Sequence, residues 1–195
     1  MRLSYVSDSD LLTSTSDRAV IDRIRHRRGD LGLAALDRAL LHATPLADGW
    51  NSFFDAVRNR CSLRGDLREL AICRVAALNQ AWYEWNAHEP LALQEGVSEK
   101  GVKGLVVLDG PDEEIGETRG YEAGLTRTQI AVKKYTDAMT RFVTVPQDIF
   151  GQLSRVGLNE REIIELTMTI AGYNCVSRFL VALDIGEQNG KGPIL

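Results

Sequence analysis

The sequence predicts an all-α protein, and three observations carry that expectation. Apolar residues recur every three to four positions along most of the chain, the spacing that gives a helix one apolar face. No alternating apolar–polar run of strand length recurs. Thr44-Pro45, Val145-Pro146, Gly96 and Gly157 stand between periodic segments, where such residues start or stop helices.

The elements follow in order. Residues 1–16 read as a polar N-terminal segment, loosely ordered or packed on a neighbouring subunit. Residues 17–195 read as one domain, since 195 residues are enough for a single sizeable core. A charged helix is expected over 17–28, ending near Gly29. Leu33, Leu36, Leu40 and Leu41 give helical spacing to 31–43. Pro45 suits the first turn of a helix that carries Trp50, Phe53, Phe54 and Val57 on one stripe over 46–59. Residues 66–80 are apolar almost all round, and such a helix belongs at the centre of a domain. A helix from Trp82 or Tyr83 to just before Gly96 follows, then a short one over 98–106. Residues 107–120, with Gly110-Pro111 and a cluster of acids, read as a loop. Helices are expected over 122–143, 146–156, 158–173 and 175–186. A faint internal echo links Arg68-Glu69-Leu70 to Arg161-Glu162-Ile163 and Ala92–Gly96 to Ala182–Gly186, as two helical hairpins would; it puts Asn174 and Arg178 in the places of Glu84 and His88.

The bulk composition narrows the partners. Hydrophobic residues make up 44% and charged residues 26%, with a net charge of −4. That balance is ordinary for a globular chain and gives no reason to expect nucleic acid or an anionic membrane. The basic run Arg23, Arg25, His26, Arg27, Arg28 is interleaved with Asp17, Asp22 and Asp30, as a solvated helix face is. No uninterrupted apolar run approaches the roughly 20 residues of a membrane span, and the first residues lack the apolar core of an export signal. Cys61, Cys73 and Cys175 are far apart, form no CxxC and join no histidine cluster. The expectation is a reducing, cytoplasmic setting with no metal site.

The chemistry-bearing residues concentrate between 67 and 90. Glu69 lies in the first turn of the apolar helix, where it is either an N-terminal acid paired with Arg68 or Arg74, or a buried functional carboxylate. His88 sits among Trp82, Tyr83, Trp85 and Pro90, a setting suited to a ligand pocket. Its ring titrates near neutral pH, so it can take or give a proton. Glu84 precedes His88 by one turn on the same face, placed to fix the imidazole tautomer or to form a surface pair. Not all three of the aromatics Trp82, Tyr83 and Trp85 can face one way, so some belong to the core and some to a pocket, with Tyr83 offering a hydroxyl. Cys73 reads as a small buried residue.

The segment RELAICRVAALNQAWYEWNAHEPLALQEGVS resembles the carboxymuconolactone decarboxylase family, which shares its fold with alkylhydroperoxidase D-like proteins. LDRALLHATPLADGW upstream and GYNCVSRFLVALDIG downstream look similar too, so the resemblance spans about 30–190. It implies a single-domain helical bundle, no metal or organic cofactor, and a homotrimer or homohexamer with pockets near subunit contacts. The peroxidase branch keeps a Glu, a CxxC and a His; here Glu69 and His88 match, while Ala81 and Glu84 occupy the two cysteine positions. Thiol peroxidase chemistry needs a thiolate, and neither residue supplies one. By resemblance, His88, Glu69 and Glu84 are the acid–base residues, with Glu84 holding His88 and Glu69 completing a relay. Tyr83, Trp85 and Trp82 then line the substrate site, and Arg74 or Arg178 pairs with a substrate carboxylate. The expected activity is a cofactor-independent decarboxylase-like lyase acting on a small carboxylated lactone or related acid. A cofactor-free isomerase or cyclase and a non-catalytic ligand-binding oligomer are the alternatives.

Overall fold

The computed structural model describes residues 1–12, 15–107 and 124–193. Its helices are α1 (Thr15–Arg28), α2 (Ala35–Leu40), α3 (Thr44–Asn59), α4 (Gly65–Leu78), α5 (Trp82–Gln94), α6 (Glu99–Leu105), α7 (Arg127–Phe142), α8 (Gln147–Arg155) and α9 (Glu160–Leu183). No strand occurs among the described residues. The acidic segment expected as a loop lies, apart from Val107, outside the described residues, as does the expected start of a helix at 122.

The core is organised around α4. Leu67 and every residue from Glu69 to Ala77 are buried. A helix without a polar face must be surrounded, and α5, α6, α7 and α9 pack around this one. The link to α5 is three residues long. Gln80 takes a left-handed backbone (φ 53°), and the Ala81 N–H donates to the Ala76 carbonyl at 2.8 Å. This tight reversal folds α5 back along α4 and sets which of their side chains meet.

Polar residues fix the register of the surrounding helices. Thr126 and Gln129 cap α7 reciprocally, at 3.3 and 3.0 Å. Gln129 also donates to Asp66 at 3.0 Å, tying the start of α7 to the start of α4. Asn159 and Glu162 form the same kind of box at the start of α9, at 3.0 and 2.9 Å.

Two expectations change here. Residues 1–12 pack on their own chain: Val6 and Leu11 are buried with Val20, Ile21 and Ile24 of α1 and with Leu40, Leu41 and Ala47. The Arg38 guanidinium donates to the Val6 carbonyl at 3.0 Å. Two apolar residues are too few to show in a periodicity, yet they suffice to dock a short segment. Residues 160–183 form one helix, with no break near Asn174. The second half of the internal echo therefore matches a hairpin to an unbroken helix. By length and composition α9 is also apolar enough to cross a membrane; half of its most apolar stretch is buried inside the chain.

Candidate active site

The second apolar cluster, built on α1 to α3, meets the main core along Leu36, Trp50 and Phe179. A cavity of about 110 Å³ opens at this seam. Arg27 and Arg28 of α1 and Leu36 of α2 line one side, and Trp50, Phe54 and Arg58 of α3 another. α5 contributes Tyr83, Glu84, Ala87 and His88, and α9 contributes Tyr173, Val176 and Leu180. Residues separated by more than a hundred positions converge here.

His88 and Glu69 are in contact across the α4–α5 pair. The ring Nδ1 lies 2.7 Å from Glu69 Oε2, with both side chains buried. Arg68 Nε donates to the other oxygen, Oε1, at 3.2 Å. Burial alone would push the Glu69 carboxyl up, but the bond and charge of His88 and the neighbouring Arg68 outweigh it and leave it below its usual value. Burial pulls His88 down, and Glu69 only partly offsets that, so the imidazole sits below its ordinary 6.5. The pair at neutral pH is thus a carboxylate accepting Nδ1–H from a neutral ring. Nε2 is left as the ring nitrogen with a free lone pair.

Glu84 behaves differently. It shares the α5 face with His88, but its partner is the hydroxyl of Ser177, 3.0 and 3.1 Å from its two oxygens. Burial drives its carboxyl well above the usual value, and only the Ser177 bond opposes this. The two carboxyls near the cavity are therefore driven in opposite directions, Glu69 down by His88 and Arg68 and Glu84 up by burial. Such a split is how a site assigns one group to accept and another to give a proton.

Aromatic rings complete the wall. Tyr173 meets His88 edge-on at 5.0 Å and Phe54 at 5.5 Å, and Phe54 meets Trp50 at 4.7 Å. Tyr83 is held by Gly186, which has φ +75°; a Cβ there would lie 2.2 Å from the Tyr83 ring. Only glycine allows both this backbone and this approach.

Several expected site residues are elsewhere. Trp85 is fully buried in the core, and Trp82 is half-buried against it; neither lines the cavity. Consecutive aromatics on a helix diverge, and only Tyr83 points to the seam. Arg74 is buried in a structural ion pair with Asp137, at 2.5 and 3.3 Å, and donates to the carbonyls of Leu105 and Val107. It joins α4, α6 and α7 and does not line the cavity. Arg178 lies exposed on α9 and folds back on Asn174 at 2.7 and 2.9 Å. Glu84 does not hold the His88 ring; Glu69 does.

Arg58, Tyr173 and Ser177 were not singled out in the sequence. A signal for the first existed: Arg58 follows Trp50 and Phe54 at successive four-residue steps, on the same apolar stripe. Tyr173 and Ser177, one turn apart on α9, carry no local mark.

The thiols are free. Cys73 is buried, Cys61 half-buried and Cys175 exposed. Burial, with the charges of Glu69, Glu84 and Glu89, pushes the Cys73 thiol well up and away from a nucleophilic thiolate.

Comparison with known proteins places this arrangement. Residues 44–120, which hold α3 to α6 and both Glu69 and His88, match the carboxymuconolactone decarboxylase family. No curated protein matches the chain. Among solved structures, an uncharacterized peroxidase-related protein from Ralstonia eutropha JMP134 with an alkylhydroperoxidase AhpD core is 14% identical, with a TM-score of 0.72 over 94% of this chain and 90% of that one. A peroxidase-related protein from Silicibacter sp. TM1040 is 16% identical, with a TM-score of 0.71 over 95% and 94%. A debrominase in complex with 2,3,4-tribromopyrrole is 15% identical, with a TM-score of 0.69 over 95% and 90%. At these identities the likeness is one of fold. The chain thus resembles the carboxymuconolactone decarboxylase family over residues 44–120 and has an all-α fold of the alkylhydroperoxidase D-like type, and its sequence contains no CxxC pair.

Proposed function

We propose that this protein is an enzyme that moves protons on a small carboxylated lactone or related acid and releases CO₂ from it, without a metal or organic cofactor. The observation that carries this reading is His88, bound to Glu69, facing the same aromatic pocket as Glu84, whose carboxyl burial pushes well above its usual value. The family match supports an enzyme, and a debrominase on a similar fold shows a small ring compound bound in that architecture.

The chemistry balances with these groups alone. His88 Nε2 removes a proton from a carbon next to a carbonyl, and the electron pair is held as an enolate. Glu69 stabilises the imidazolium so formed. Glu84 gives its proton to a second carbon, which shifts the double bond. The double bond is now conjugated with the carbonyl, so the C–C bond to a carboxylate on the γ-carbon can break: CO₂ leaves, and the bonding pair passes through the double bond into a new, extended enolate. The His88 imidazolium returns its proton to carbon. Glu84 is reprotonated from solvent, so one proton is consumed per CO₂. The apolar wall weakens solvation of the departing carboxylate. Proton transfer by a positioned side chain contributes on the order of 10²–10⁴-fold in rate.

A second reading stops at the double-bond shift, an isomerase. It is favoured by the fact that an acceptor and a donor on one wall suffice for a proton shift. Both readings are tested on a panel of small carboxylated lactones, following CO₂ release and deuterium uptake from D₂O. CO₂ release supports the lyase, and deuterium uptake without CO₂ supports the isomerase. His88→Gln should abolish either while leaving the helical circular dichroism intact; a fully active His88→Gln protein would sink both. Assembly with copies of itself belongs to the same proposal and is read by light scattering.

A further inference from the structure

Three arginines border the cavity, and two are already engaged. Arg28 gives Asp37 two hydrogen bonds, at 2.7 and 2.9 Å. Arg27 lies 3.7 Å from the same carboxylate and donates to Asn51. Arg58 has no ion pair or hydrogen bond among the described residues. The acid nearest it on α3, Asp55, is taken by Arg60 at 3.0 Å and by Asn59 at 2.8 Å. Arg58 is half-buried, and its helix turn follows those of Trp50 and Phe54, so the guanidinium ends an aromatic wall.

Tyr173 shares this situation. It is 3% exposed and lines the cavity, and its hydroxyl has no protein partner among the described residues. No fully enclosed side-chain polar atom among those residues lacks a partner. The hydroxyl therefore reaches open space, and for a residue so enclosed that space is the cavity. Burial keeps its proton on, so it is a donor. The charge of Arg58 acts on both Tyr173 and His88, which puts the three groups in one neighbourhood.

The pocket's own acids do not answer this surplus. Glu69 is held by His88 and Arg68, and Glu84 accepts from Ser177 with its carboxyl pushed well up by burial. A guanidinium facing an apolar cavity favours an anion, and its planar fork matches a carboxylate with two parallel hydrogen bonds.

We propose that Arg58 and the Tyr173 hydroxyl form a carboxylate-anchoring subsite, which holds an acid substrate with its body along Trp50 and Phe54 and its reacting carbon toward His88. This rests on the acid–base reading above and narrows its substrate. The carboxylate on Arg58 is retained in the product, because a guanidinium stabilises the charge that loss of CO₂ would have to move.

The test is calorimetric titration of the full chain with 2-furoate, a compact ring carboxylate, and with its neutral analogue 2-furamide. Wild-type protein should bind 2-furoate at least tenfold more tightly than 2-furamide. Arg58→Gln should weaken 2-furoate by about 10- to 100-fold, the range of a charged hydrogen bond, and leave 2-furamide unchanged. Arg58→Lys, which keeps charge without the fork, should fall between. Tyr173→Phe should cost a few-fold, and Arg60→Gln nothing. His88→Gln should still bind 2-furoate, which separates this subsite from the proton chemistry: loss of turnover without loss of binding supports both. If His88→Gln keeps both turnover and binding, the acid–base reading fails while the subsite stands. The subsite is overturned if wild-type protein does not prefer 2-furoate, or if folded Arg58→Gln or Arg58→Lys binds it as tightly as wild type.

Discussion

His88 Nδ1 lies 2.7 Å from Glu69 Oε2, and this contact assigns the two ring nitrogens different tasks. Nδ1 carries the proton and donates a hydrogen bond to the carboxylate, which leaves Nε2 with the free lone pair that the proposed proton transfer uses. Glu69 is a positioning residue, since it acts through the ring. Glu69→Gln should lower kcat more than it changes KM. It should also move the acid limb of the pH profile to lower pH, because Glu69 is what raises the imidazole against its burial. A loss of activity with an unmoved acid limb would mean that Glu69 matters only for packing.

The activity should have a bell-shaped dependence on pH. The base must be neutral, and His88 titrates below its ordinary 6.5, so kcat/KM should fall as pH drops through that lowered value. The acid must be protonated, and Glu84 titrates well above its ordinary 4.5, so activity should fall again as pH rises through that raised value. The two limbs belong to the free enzyme. A profile that keeps rising into alkaline solution would rule out Glu84 as the donor.

Glu84 also leaves a signature in stability. Its folded pKa is raised, so its contribution is fully present below pH 4.5 and is lost as pH rises toward the folded value. Glu84→Gln keeps a hydrogen-bonding partner for Ser177 but removes the titration. The variant should gain on wild type by up to roughly 1 kcal/mol for each pH unit above 4.5, until the folded value is reached. Urea denaturation at several pH values reads this directly. A difference that does not vary with pH would place the Glu84 carboxyl in an unshifted, solvated state.

Gly186 supports the pocket from outside it. Gly186→Ala combines a strained left-handed backbone with a Cβ 2.2 Å from the Tyr83 ring. The expected result is a loss of about 1–3 kcal/mol in stability and a raised KM, because Tyr83 must leave the cavity wall. Gly190 provides the control: its φ is +77°, and a Cβ there meets nothing within 4 Å. Gly190→Ala should therefore show the backbone cost alone, with KM unchanged. Equal effects of the two substitutions on KM would remove Tyr83 from the site.

Much of the candidate site was legible locally, and its misreadings share one cause. The apolar helix with a lone acid, the histidine among aromatics and the missing cysteine pair are all features of short spacing. That spacing also put Glu84 and His88 on one face, which suggested a pair. In the folded chain each found a better partner across a helix interface, Ser177 for Glu84 and Glu69 for His88. The arginines show the same limit. Arg74 lies within the central segment yet is consumed by Asp137, sixty-three positions away, whereas Arg58 lies outside that segment and reaches the cavity.

By itself the sequence determined the helical class, the central place of α4 and the residue types available for proton transfer. Periodicity and local apolar density are properties of neighbouring residues, and they survive without knowledge of the fold. The tertiary structure alone decided which acid is pushed down, which is pushed up and which arginine borders the cavity without an ion pair among the described residues. Those states depend on burial and on partners brought together from α1, α3, α5 and α9, and only packing sets these.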